Sequence, residues 1–138
     1  MATTKASTTQ VSTTNTSNAA GSMTAGPRTT GPRYLAGAAL LAGLAAGVLT
    51  NLAQGWLPGA WNQLANSGAV WSAVAFVAGA ASRPSRLAVA AVAGLLAEAG
   101  LVVGYYAYAE FGRDGMGSPL FPLIWLAMAC VAGPLFGV

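Results

Sequence analysis

From Tyr34 to Val138 the sequence runs through four apolar stretches joined by short connections, and this pattern limits the fold more than any other feature. A helix needs about 20 mostly apolar residues to cross a hydrocarbon layer of roughly 30 Å. The first stretch, YLAGAALLAGLAAGVLTNLAQ, covers residues 34–54. The second has a short apolar core, GAVWSAVAFVAGAAS, so its span is extended back to Trp61 and taken as 61–82. The third, LAVAAVAGLLAEAGLVVGYYAYA, covers 87–109, and the fourth, LFPLIWLAMACVAGPLFGV, covers 120–138. Ser118 and Pro119 read as an N-cap followed by a proline in the first helical position. The expected fold is all-α, a polytopic transmembrane bundle of four spans over residues 34–138.

Composition agrees with that class. The chain is 55% hydrophobic and only 7% charged, where soluble domains carry about a quarter charged residues. Residues 1–33 differ: Thr, Ser, Ala and Gly prevail and no aromatic occurs. Such a segment buries too little apolar surface to offset its chain entropy, so a disordered tail is expected. Met23 opens a stretch that would itself serve as an amino terminus, and the chain stops inside its fourth apolar run, as a truncated form of a longer protein would.

Several function classes fall away. The sequence has no histidine, and Cys130 is its only cysteine, which leaves no Cys/His zinc site and no imidazole-based triad. There is no nucleophile–base pair, phosphate loop or metal-ligand spacing, so neither enzymatic activity nor a cofactor is expected. The six basic residues are scattered, without the basic stripe of a nucleic-acid-binding protein. The expected partners are the lipid bilayer and other membrane proteins or further copies of the chain.

Orientation follows from the basic flanks. Lys5, Arg28 and Arg33 lie in the tail, and Arg83 and Arg86 lie between the second and third spans. The first connection has no basic residue, and in the third Arg113 is outweighed by Glu110 and Asp114. Two crossings separate the two basic segments, so a cytoplasmic amino terminus is expected.

At about 100° per residue the third span divides into two faces. Ala93, Ala97, Gly100, Gly104 and Ala107 form a small-residue seam, with Gly100 and Gly104 spaced as GxxxG. Gly43 and Gly47 repeat that spacing in the first span, and Ala75 and Gly79 in the second, which suits close helix packing. Leu87, Ala91, Gly94, Glu98, Val102 and Tyr105 share the other face. A carboxylate near mid-bilayer invites a functional hypothesis. The first reading is structural, a protonated Glu98 bonding a backbone carbonyl or polar side chain of a neighbouring helix. The alternative is a proton-coupled small-molecule or cation transporter using Glu98. Four-helix multidrug exporters offer the analogy, although they carry their glutamate in the first helix and not the third.

A second polar group surrounds the first connection: Asn51, Gln54, Asn62, Gln63, Asn66 and Ser67. It reads either as amide bonding that fixes a helix hairpin or as an outward pocket for a neutral or zwitterionic ligand, floored by Glu98 and Tyr105. The stretch LTNLAQGWLPGAWNQLANSGAVWSAVAFVAGA, with GLLAEAGLVVGYY further on, resembles an actinobacterial family of small multi-pass membrane proteins of unknown function. The resemblance covers nearly everything from Tyr34 onward. It implies a plasma-membrane protein whose relatives run on through further spans, and it brings no activity and no established site. The resulting expectation is a structural or accessory membrane component.

Overall fold

A computed structural model describes residues 31–82 and 86–138. The expectation for residues 1–30 lies outside the described residues, as do Arg83, Pro84 and Ser85. Five helices follow in order: α1 (Pro32–Trp56), α2 (Ala60–Ala65), α3 (Gly68–Ala81), α4 (Leu87–Gly112) and α5 (Leu120–Gly137).

α1 opens on Pro32, where a missing backbone N–H costs nothing. It ends where Leu57 turns extended (φ −84°, ψ 130°) ahead of Pro58, since proline disfavours the helical region for its predecessor. α4, at 26 residues, is the longest helix and reaches about 39 Å. In α5 the N-cap position falls to Pro119 and not Ser118, whose Oγ accepts from the Leu120 N–H at 3.3 Å.

The second span departs from expectation. Residues 61–82 do not form one helix but the short α2 and the 14-residue α3, broken at Asn66 and Ser67. Ser67 takes extended backbone (φ −82°, ψ 145°), and its Oγ accepts from Val70 N at 3.4 Å, an N-cap that starts a new helix in place of continuing the old one. α3 alone is about 21 Å long, short of the hydrocarbon thickness. α2 turns back on the end of α1, helped by Gly59 at φ +54°, a left-handed conformation suited to glycine.

α4 is the hub. It packs along α1, α3 and α5, α3 also packs on α5, and α1 and α3 barely meet. Its buried residues are Ala90, Ala93, Gly94, Ala97, Glu98, Gly100, Leu101, Val102 and Gly104. Glycines set how closely the helices approach. A Cβ at Gly43 or Gly47 would overlap the Ala97 or Leu101 carbonyl, and one at Gly100 or Gly104 would overlap the carbonyls of Leu40 or Leu44. Position numbers rise together on both helices, so α1 and α4 run parallel. Arg33 and Arg86 therefore share one end of the bundle, and Arg113 lies at the other.

α5 brings a seam of its own. Gly94 faces Gly133 and Gly137 antiparallel, and Gly79 abuts Gly137 where α3 meets α5. Toward the ends of α4 the burial of its faces fades: Leu87 is 68% exposed, and Ala107 is also exposed. The outer surface carries Phe76, Val77, Leu123, Val131 and Leu135, all exposed. Large apolar side chains outside and small ones inside is the distribution a lipid solvent favours. α1, α4 and α5 are each long and apolar enough to cross a membrane, and α3 is a shorter apolar helix.

Candidate functional site

Glu98 sits midway along α4, on the face turned toward α3 and α5, one turn after Gly94 and one turn before Val102. It is 5% exposed, and its Oε2 is fully buried with no hydrogen-bond partner among the described residues. Among the described residues this oxygen makes no bond to a neighbouring helix. The reason is local: facing Gly94 are Gly133 and Gly137, and facing Val102 is a cluster of Trp71, Leu101 and Ala129, so small and apolar groups flank the acid on both sides. A buried polar atom left unpaired costs on the order of 1–3 kcal/mol.

Above Glu98 lies an aromatic layer. Trp71 of α3 packs on Trp125 of α5 with ring centroids 4.9 Å apart and on Tyr105 at 5.7 Å, and Tyr106 meets Tyr105 edge-on at 5.1 Å. Trp71 is 4% exposed, and its indole Nε1 is a second buried polar atom without a partner among the described residues. Sequence reasoning named Tyr105 but neither tryptophan, because the pair joins α3 to α5 across the chain.

The polar end of the bundle is built around Asn51, 2% exposed. Its Nδ2 donates to the Tyr105 carbonyl at 3.1 Å, and its Oδ1 accepts from Arg113 Nη1 at 3.0 Å. Tyr105 Oη donates to Gln54 Oε1 at 2.9 Å, and Asn62 Nδ2 donates to the Gln54 carbonyl, closing the last turn of α1. Asn51, Gln54, Asn62 and Tyr105 thus come together as an amide network that holds the hairpin against α4. Gln63 and Asn66 do not join it and are exposed. Asn51 and Tyr105 do line a polar cavity, but with Tyr106, Arg113, Asp114 and Met116 as companions and not with the rest of the hairpin. Glu98 does not line it either. Seven residues separate Glu98 from Tyr105, about 10 Å along the helix axis.

No group of three or more metal-ligating side chains occurs among the described residues, and Cys130 is free and exposed. Apolar helices long enough to span a bilayer, with one buried acid among them, fit the class of helical membrane proteins. The chain belongs to the Family of unknown function (DUF6518), whose profile matches residues 26–138. No curated protein and no solved structure matches it.

Proposed function

We propose that the protein is an integral plasma-membrane protein crossing the bilayer four times, in which Glu98 takes up and releases a proton during small-molecule or cation transport. The unpartnered Oε2 of Glu98 carries this reading. A buried carboxyl whose Oε2 has no partner among the described residues adds little cohesion through that oxygen, whereas an acid free to exchange its proton has a use for that environment. The elements packed on α4 bring almost no charge: α3 and α5 carry no Asp, Glu, Lys or Arg, and α1 carries only Arg33, in its first turn. Tyr105 and Tyr106 are the titratable groups next along α4, and Cys130 of α5 is exposed.

The tail and the connection through Arg86 are assigned to the cytoplasm. The position of Arg33 and Arg86 at one end of the bundle supports this, by the preference of Lys and Arg for that side. Single cysteines at Ser85 and Ser118 in a Cys130→Ala background test it: an impermeant thiol reagent applied to intact cells should label the Ser118 site. Preferential labelling at Ser85 reverses the orientation.

A structural or accessory role, without enzymatic activity, is the second reading. It is favoured by the backbone-to-backbone glycine seams, which fit a static bundle. Proton release separates the two. Detergent-solubilised protein in weak buffer is titrated with sodium, methylammonium and tetraethylammonium ions. Release that vanishes in Glu98→Gln is expected, since an amide does not titrate. Release that is absent, or equal in both proteins, favours the structural role.

A further inference from the structure

At the end of the bundle opposite Arg86, a cavity of about 320 Å³ opens between the last turns of α1 and α4 and the start of α5. Its volume lies at the small end of ligand pockets, and its residues carry one positive and one negative charge that do not pair with each other. Arg113 is held by one edge: Nη1 donates to Asn51 Oδ1 at 3.0 Å and to the Asn51 carbonyl at 3.4 Å, while Asn51 is itself fixed on the Tyr105 carbonyl. A guanidinium has five N–H donors, and those on Nη2 and Nε make no hydrogen bond to the described residues. Asp114, next in the chain, has no ion pair or hydrogen bond among the described residues, and neither has the hydroxyl of Tyr106.

The loop that presents these groups is pinned in place. Gly115 adopts φ +101°, a conformation side-chain-bearing residues rarely take, and its N–H donates to the Ala109 carbonyl at 3.1 Å. The Met116 N–H donates to Glu110 Oε2 at 3.0 Å. Met116 and Phe121 complete an apolar wall beside the charges. A preformed cavity loses less ordering entropy on binding than a loop that must first be organised.

We propose that this cavity binds a small zwitterion of the amino-carboxylate or betaine class, its carboxylate on the Arg113 guanidinium and its ammonium on Asp114. A guanidinium edge matches a carboxylate with two parallel donors, and Tyr106, which lines the same cavity, offers a further donor. Met116 and Phe121 suit an aliphatic side chain. Because Glu98 does not line the cavity, this site stands or falls separately from the proton-coupled reading.

Equilibrium dialysis of the full chain in detergent, with labelled L-leucine and glycine betaine as probes, tests the site. 4-Methylpentanoate lacks the ammonium group of leucine, and 3-methylbutylamine lacks its carboxylate. At least one zwitterion should bind about tenfold more tightly than either single-charge control, each charged hydrogen bond being worth about 1.5–3 kcal/mol. Arg113→Gln and Asp114→Asn should each weaken binding by about tenfold or more, and Glu98→Gln should leave it unchanged. Asp114 is exposed and makes no hydrogen bond or ion pair among the described residues, so its variant probes the site without unfolding the chain. Binding of 4-methylpentanoate as tight as that of leucine would make this an anion site, and equal binding of the amine a cation site. Either result overturns the proposal, as does failure of both zwitterions to bind, or binding indifferent to both cavity variants.

Discussion

Leucine at Gly104 is expected to dismantle the α1–α4 contact, with a loss of about 3 kcal/mol or more of stability in detergent. A Cβ there would overlap the Leu44 carbonyl, and backbone cannot rotate out of the way as a flexible side chain does. The helices would have to separate, and their neighbours Gly43, Gly47 and Gly100 would lose contact together, since all lie on one seam. Val103, adjacent in sequence but 47% exposed, provides the control: Val103→Leu should change the melting temperature little. Equal losses from the two substitutions would show that the seam does not set the approach of α1 to α4.

The second large effect runs in the opposite direction. Glu98→Met should stabilise the protein by about 1–3 kcal/mol, because it keeps the length of the side chain while removing a buried oxygen that none of the described residues satisfies. Glu98→Gln should be close to neutral, exchanging one unsatisfied polar group for another. These expectations differ from those of a structural acid, for which removal of the carboxyl strands a bonded partner. A melting temperature that falls in Glu98→Met would mean that the carboxyl holds the bundle together. Gains of this kind at functional positions are the usual signature of stability given up for activity.

The elements were readable in the sequence where a single helix decides the pattern. The apolar runs at 34–54, 87–109 and 120–138 sit within or close to α1, α4 and α5, and the glycine pairs at 43/47 and 100/104 face each other's helices. The break at Asn66 and Ser67 was visible only as a polar interruption. Hydropathy averages across it, and only the Ser67 cap and the short apolar core of α3 mark where a new helix begins. The α5 seam at Gly133 and Gly137 has the same four-residue spacing as the others, but Pro134 inside it reads in sequence as a helix breaker.

The polar end was half legible. Asn51, Gln54 and Asn62 carry amides close together in sequence, and they do meet. Arg113, by contrast, is 62 residues from Asn51 and reads in sequence as one charge in a loop. Its meeting with Asn51 depends on α1 and α4 running parallel and ending at the same level. The separation of Glu98 from that end has the same character. Helical periodicity put Glu98 and Tyr105 on one face, but only the tertiary fold stacks Trp71 and Trp125 beside Tyr105 and leaves Glu98 outside the cavity lining.

The central claim is that the Glu98 carboxyl exchanges its proton, and infrared difference spectroscopy on the reconstituted protein tests it most directly. The stretching band of a protonated carboxylic acid, isolated as the part of the wild-type spectrum missing from Glu98→Gln, reports this single group against a background of two other acids at the helix ends. The account predicts a band that disappears reversibly as pH rises, or when sodium, methylammonium or tetraethylammonium ion is added, with a carboxylate band taking its place. A Glu98 band that stays unchanged across the pH range in which the protein remains folded, and through every cation addition, would contradict it.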